Sequence, residues 1–336
     1  MKNKIIDNVL FIFFATVYVV YSILIPLYKP DLFTIKTDVI ELTIPYGMSA
    51  KNIAERIKDA GIVKDSDLLI KWMVRLKIDR KLQPGKYKLH KSYELSVAHE
   101  LRSAKPEIEQ FMVIPGTKYE TLVKIFIQKK ADLFTKEILD NNNFPKEIRL
   151  WLPQDARGRV AFLLPETYII NPGSDLAKQF IRKASRLWFE RIGRDVSVTI
   201  TKKELNEIAT LASIVEGEAK VSEERPILAG IFMNRISEHM KLQSCATVIY
   251  SWDIQGIKKT RLTYKDLEIN SPYNTYKNHG FPPGPLCIPS MESWLSALNP
   301  QNTEYLFFFA TANGTHVFSK TYNEHIAKQN QILNVK

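Results

Sequence analysis

Two carboxylates close the apolar run Leu211-Ala-Ser-Ile-Val-Glu-Gly-Glu-Ala-Lys220. Glu216 and Glu218 have the residue type and setting that acid–base chemistry needs. Upstream, Thr201-Lys-Lys-Glu204 has the form of a capping box, and Leu205, Ile208, Ala209, Ala212 and Val215 recur at helical spacing. The spacing predicts a buried helix that delivers both acids at its C-terminal end. A partly desolvated carboxyl group beside the negative end of a helix dipole is biased towards keeping its proton, as a general acid must. At about 100° per residue, positions two apart point roughly 200° away from each other, so the pair cannot share one helix face. Glu216 falls near the centre of the apolar stripe, and Glu218 on its flank towards Leu211. Helical spacing alone favours Glu216 as the buried acid; a helix break at Gly217 would undo that ordering. The plainer alternative is two solvated glutamates where a helix stops at Gly217.

The elements that must position these acids divide into two groups. Val39–Ile44 reads as a strand, and Pro45-Tyr-Gly47 as a turn. Ser49 caps a helix with Ile53, Ile57 and Ala60 buried and Gly61 just past its end. A second helix begins near Ser66, with Leu69, Trp72, Met73 and Leu76 on one side. Lys81–Leu89 reads as turn then strand, and Ser96–Ser103 as a short helix. The sum is a β-α-α-β-α module over 38–104, with a boundary in Ala104–Ile108. A larger α+β domain over 108–336 follows, opening on Gln110–Thr117, which repeats the strand–PxG–helix phrase of Leu42–Ile57. Within it, Ala177–Phe189 is an amphipathic helix, Ser222 opens another that runs to about Ile236, and Ser293–Leu298 is a short one. Leu306–Ala310 and Thr315–Phe318 pair as strands across Asn313-Gly314, the dipeptide of a type I′ hairpin.

Composition narrows the class of partner. The net charge of +11 points to an anionic partner, yet the 47 Lys and Arg are scattered, without a basic block or aromatic-basic motif, which disfavours nucleic acid. Val9–Tyr28 runs without a charge for about 20 residues, long enough to span a bilayer, and lacks a small-x-small cleavage site before Lys29. It predicts an uncleaved transmembrane helix over 9–28. Lys2 and Lys4 put residues 1–8 in the cytoplasm and the remainder outside, at the inner (cytoplasmic) membrane. Two cysteines, Cys245 and Cys287, are too few for a disulfide framework, and six scattered histidines offer no metal spacing. Neither a metal nor a cofactor is expected. Polar-aromatic loops such as Ser271–Tyr276 and the rigid Gly280–Leu286 could line a sugar groove, aromatic faces stacking on pyranose C–H surfaces.

At these residues the chain resembles the YceG-like family of endolytic murein transglycosylases. The matching phrases are LASIVEGEA (211–219), ERPILAGIFMNR (224–235), MKLQSCATVIY (240–250), SPYNTYKNHGFPPGPL (271–286) and HVFSKTYNEH (316–325), in order and at matching spacing. An anchor followed by a LysM-like module fits the same family. The resemblance implies cleavage of the β-1,4 bond between N-acetylmuramic acid and N-acetylglucosamine within glycan strands, leaving 1,6-anhydromuramoyl ends. It implies Glu218 as the catalytic acid, Glu216 as a supporting residue, and Gln243, Asn274 and Tyr276 as groove residues. A break at Gly217 would re-aim Glu218 accordingly. It also implies a role beside peptidoglycan synthases in the membrane.

The chain departs from the family pattern in places. Cys245 and Ala246 stand where the family usually reads Asp-Pro, and Leu286, Cys287, Ile288 and Ser290 stand in the PPGPIANPG phrase. Gly217 and Ala219 replace the Lys and Thr that commonly flank the acid. Cys245 and Cys287 either pair as a disulfide, from loops that both approach the cleft, or stand as two separate buried thiols. Two other functions remain open: a catalytically silent glycan-binding scaffold of the wall-synthesis machinery, and a hydrolysing muramidase with Glu166 as second carboxylate.

Overall fold

The computed structural model describes residues 12–20, 38–45, 48–128, 134–170, 176–196 and 199–333. Of the expected span over 9–28, residues 12–20 form a helix, α1, and the rest lies outside the described residues, as do the tail 1–8, residues 29–37 and turn residues 46–47. Among the described residues no helix is long and apolar enough to cross a membrane. The chain divides into two compact units, residues 1–109 with 169–174, and residues 110–168 with 175–336.

The first unit runs β1 (Val39–Ile44), α2 (Ala50–Asp59), α3 (Ser66–Arg75), β2 (Gly85–His90), α4 (Glu94–Ser103). β1 and β2 pair antiparallel, from Val39 opposite His90 to Ile44 opposite Gly85. Ser49 Oγ accepts from Asn52 N, and Asp65 caps α3 through the Asp67 and Leu68 amides. Each removes an orphan donor of a helix start. Gly61, at φ +73°, lets the chain leave α2 in the left-handed region. Leu42, Ile44, Ile53, Ile57, Leu69, Met73, Tyr87, Leu89 and Leu101 fill one core between the strand pair and the helices. The Glu94 carboxylate is 9% exposed and is satisfied by the Lys64 and Asp65 amides, tying the start of α4 to the entry of α3.

The second unit contains β3 (Glu109–Val113) from Gln110 onward, α5 (Tyr119–Gln128), α6 (Phe134–Leu139), α7 (Ala156–Arg159), β4 (Glu166–Ile170) as far as Tyr168, α8 (Leu176–Trp188), α9 (Lys202–Glu218), α10 (Arg225–Ser237), α11 (Cys245–Asp253), α12 (Met291–Leu298), β5 (Phe307–Ala310), β6 (His316–Ser319) and α13 (Tyr322–Leu333). The sheets are two-stranded, β3 with β4 and β5 with β6, so helix packing carries the core. At its centre is α9, packed against α10, α11 and α12. Its capping box forms as the sequence predicts: Thr201 Oγ1 accepts from Glu204 N, and Glu204 Oε2 accepts from Thr201 N. From Ala209 to Val215 the helix is buried on every side, as a continuous apolar run requires. Phe162, Trp188 and Trp294 form a neighbouring aromatic cluster, with Trp294 Nε1 donating to Ala161 O.

Two sequence expectations change here. The helix does not break at Gly217; α9 continues through Glu218, and Ala219 leaves it with extended backbone (φ −75°, ψ 123°). The β5–β6 connection is not a two-residue type I′ turn, because Ala310 pairs with His316 and leaves five residues in the loop. Gly314 has φ +88° while Asn313 does not enter the positive region, whereas type I′ needs both.

Candidate active site

Glu216 points where the helical arithmetic puts it, into the protein, with its side chain 7% exposed. Its Oε2 accepts three hydrogen bonds, from Ser290 N (2.9 Å), Ser290 Oγ (2.5 Å) and Ser293 Oγ (2.7 Å). Its Oε1 faces Arg225 Nη2 at 3.4 Å, and that guanidinium is 12% exposed. Ser290 is the N-cap of α12 and also bonds Ser293 N. Glu216 therefore ties α9, α10 and α12 together. A carboxylate so fully engaged has no oxygen left for a reacting bond.

Glu218 is the half-buried acid. Its Oε1 accepts from Ser244 Oγ at 2.5 Å and from Ala246 N at 3.0 Å. Ser244 is the N-cap of α11, but its hydroxyl makes no cap bond within its own helix. The Glu218 carboxylate supplies that cap instead, at the positive end of the α11 dipole. Proline, the residue usual at 246 in the family phrase, carries no N–H, so the departure to alanine adds a donor to this carboxylate. The departure at 217 fits the same contact, since a Cβ on Gly217 would lie 2.7 Å from the Ala246 Cβ. Among the described residues Oε2 has no hydrogen-bond partner and is the oxygen left to exchange a proton.

Buried hydroxyls hold the donors in place. Ser244 N donates to Thr275 Oγ1 (3.0 Å), Thr247 Oγ1 donates to Ser244 O (2.7 Å), and the Thr247 and Thr275 hydroxyls lie 2.8 Å apart. Ser244, Thr247 and Thr275 are 0–1% exposed. Farther out, Arg235 joins the end of α10 to Leu242 O and to Leu306 O, fixing the segment that enters α11.

The expected groove residues separate. Gln243 is exposed beside Ser244, at φ +48°, with its N–H on Thr275 O. Such a conformation is uncommon for a residue with a Cβ and is held at functional sites by its surroundings. Tyr276 is half-buried, its hydroxyl 3.3 Å from Cys245 Sγ, and burial raises its phenol pKa. Asn274 is elsewhere: it is 0% exposed, its Nδ2 donates to Leu267 O and Ile269 O, and its Oδ1 accepts from Tyr276 N. It braces the 267–276 loop and has no surface to offer a sugar, which corrects its assignment to the groove.

Both cysteines are free, so they do not pair as a disulfide. Cys245 is exposed at the start of α11, and Cys287 is buried with its thiol towards Ser213 O. Crowding around the Cys245 sulfur pushes its thiol pKa up; the Tyr276 hydroxyl opposes this and the Glu218 charge adds to it. Burial pushes Cys287 up to about 12. Glu166 lies exposed at the head of β4, accepting from its own Thr167 N, and lines a recess with Met112, Arg191 and Met291. No contact among the described residues joins it to Glu218. Groups of His, Cys, Asp or Glu able to hold a metal are also absent among the described residues.

Residues 42–331 match the model of the YceG-like family. The chain belongs to that family. An endolytic murein transglycosylase of Bacillus subtilis is 31% identical over 88% of this chain and 86% of its own length. One from Streptococcus pneumoniae is 27% identical over 84% of this chain, which spans 56% of that longer protein. A crystal structure of a YceG-like protein from Listeria monocytogenes superimposes with a TM-score of 0.54 at 28% identity, covering 87% of this chain and 99% of that one. Sequence reasoning about this YceG-like chain missed Ser244, Thr275, Ser290 and Ser293. Each lies inside or beside a recognisable phrase, but what it bonds to is set by tertiary contact. A serine directly before a helix signals a cap, and nothing in that signal says which carboxylate it meets.

Proposed function

We propose that this protein is a membrane-anchored endolytic lytic transglycosylase that cuts N-acetylmuramoyl–N-acetylglucosamine bonds within nascent peptidoglycan strands and so limits their length. The supporting observation is a single acid, Glu218, with one oxygen fixed by two donors and the other without a hydrogen-bond partner among the described residues, beside a second acid, Glu216, that is held by Ser290, Ser293 and Arg225. Ordinary glycosidases need two working carboxylates, one as acid and one as nucleophile or base. A single acid suffices where the muramoyl C6 hydroxyl attacks its own C1, an intramolecular step with high effective molarity. Glu218 in its protonated form gives the proton from Oε2 to the departing glycosidic oxygen, and then as carboxylate takes the proton of the C6 hydroxyl. Ser244 Oγ and Ala246 N keep Oε1 in place throughout. Gln243, exposed beside Ser244, and Tyr276 are the groove residues of this reading. The uncharged run over 9–28 anchors the chain in the cytoplasmic membrane, with the second unit outside, near the synthases that make its substrate.

Incubating the protein and its Glu218→Gln variant with uncrosslinked glycan, with mass spectrometry of the products, tests this reading. Anhydromuramoyl ends from the parent and none from the variant are the expected outcome. Products from neither identify a glycan-binding scaffold. Reducing ends that take up oxygen from labelled water identify a hydrolase.

A further inference from the structure

The first unit carries a recess that the proposed reaction does not use. It has a volume of about 400 Å³ and lies between the α3–β2 loop and the chain leaving α4. Its floor includes the buried Tyr87, Ile78 and Leu101, and its rim carries Lys77, Lys81, Arg102 and Lys105 without an acidic side chain. The walls are rigidly built. Tyr87 Oη donates to Gln83 O at 2.6 Å, and Lys86 and Glu107 exchange backbone hydrogen bonds across the far wall. Gly85, at φ +148°, admits Pro106 so closely that a Cβ there would lie 2.5 Å from the proline Cβ. Only glycine lets the two walls meet in this way.

The charge distribution singles the recess out. Residues 38–109 hold fourteen Lys and Arg against eleven Asp and Glu, a net +3. Four charges at the rim exceed that total, so the remainder of the unit is slightly acidic and the surplus is gathered here. Four of the unit's acids are engaged elsewhere: Glu41 with Lys86, Glu107 with Lys88, Glu100 with His90, and Glu94 with backbone amides. The loop's own acid, Asp79, lies beside Arg80. Among the described residues none of the four rim cations is in an ion pair. Helix ends account for two of them, since Arg102 is in the last turn of α4 and Lys77 follows α3, where cations complement the dipole. Lys81 and Lys105 stand beyond both ends. Lys77 also holds φ +56°, a conformation that costs energy in a residue with a Cβ.

We propose that this recess is an anion site for a phosphodiester group. Lysine ammoniums bind phosphate as point charges and arginine binds it through its fork. The mutual repulsion of four unpaired cations is reduced when an anion enters. A phosphodiester spreads its single negative charge over two free oxygens that more than one rim cation can reach, and its ester arms extend along the recess. The same chemistry is carried by an anionic lipid headgroup and by a soluble phosphodiester.

The full chain in zwitterionic detergent micelles is titrated with glycerophosphoglycerol, and in parallel placed in phosphatidylcholine or phosphatidylglycerol nanodiscs. Amine acetylation at Lys77, Lys81 and Lys105 is read by mass spectrometry against Lys51, Lys58 and Lys71. Selective, saturable and salt-sensitive protection of the rim lysines is expected. It is expected to weaken by more than about tenfold at the remaining positions in Lys77→Gln and Arg102→Gln variants, which alter exposed side chains, with thermal unfolding unchanged. Protection by the soluble diester assigns a free phosphodiester, and protection only in phosphatidylglycerol discs assigns a lipid headgroup. No protection in either arm, or equal protection of Lys51, Lys58 and Lys71, overturns the proposal.

Discussion

Replacing one hydroxyl separates orientation from binding at Glu218. Ser244→Ala removes a donor to Oε1, and a hydrogen bond to a charged group contributes about 1.5–3 kcal/mol, or roughly 10- to 100-fold in kcat. Substrate KM should hold within about twofold, since Ser244 is 1% exposed and touches no sugar, and steady-state kinetics on glycan oligomers checks both values. Glu216→Ala should behave differently, because it strands the buried Arg225 guanidinium: a loss on the order of 3 kcal/mol in urea unfolding is expected. Asp266 gives a pH test. A hydrogen bond from Lys259, followed by those from Thr263, holds its carboxyl at about 2 in the folded protein, below the unfolded value of about 3.9. That stability is present above pH 4 or so and is lost as pH falls through the folded value. Asp266→Asn should flatten the acid limb of urea midpoint against pH. At this scale the acids were legible in the sequence and their roles were not. Helical phase placed Glu216 inside correctly, but whether an acid is saturated or available depends on Ser244, Ser290 and Ser293, residues distant in the chain. Asn274 was misread for the same reason: its amide turns inward to loop carbonyls.

Elements were read more easily than the contacts between them. The capping box at Thr201, the cap at Ser49, and the apolar stripe of α9 depend on residues within a turn or two of each other, so local pattern predicts them. The β5–β6 loop was misread because Asn313-Gly314 is embedded in a longer connection, and strand register is set by pairing partners. Gly217 was taken as a helix breaker, although its use is steric: it admits the start of α11 against the end of α9. A coupling follows from that contact. Gly217→Ala should cost about 1–3 kcal/mol by overpacking and lower activity by displacing Glu218 from Ala246. Pairing it with Ala246→Gly, which removes the opposing methyl, should recover much of the loss, and a double-mutant cycle in thermal unfolding and kcat measures the coupling.

For the molecule as a whole, element order in the sequence reads as a β-α-α-β-α module over 38–104 ahead of a larger α+β domain over 108–336, and by contact the chain divides into residues 1–109 with 169–174 and residues 110–168 with 175–336. Element order did not reveal how chain segments far apart in sequence converge. A net charge of +11 makes association with an anionic wall polymer salt-sensitive, so glycan affinity should fall between low and physiological ionic strength, as sedimentation against added salt checks. The segment around Ile288 binds the backbone of Gly116 and Thr117, its neighbour Leu286 donates to Ser213 Oγ, and Ser290 holds Glu216. Two distant stretches of the chain, Gly116–Thr117 and the end of α9, thus meet at one late-translated loop. A polypeptide still emerging from the ribosome carries the acid at 218 long before it carries the clasp that completes the surrounding helices. The surroundings of Glu218 are therefore completed only as synthesis nears its end, and an unfinished chain carries the acid without the contacts that organise it.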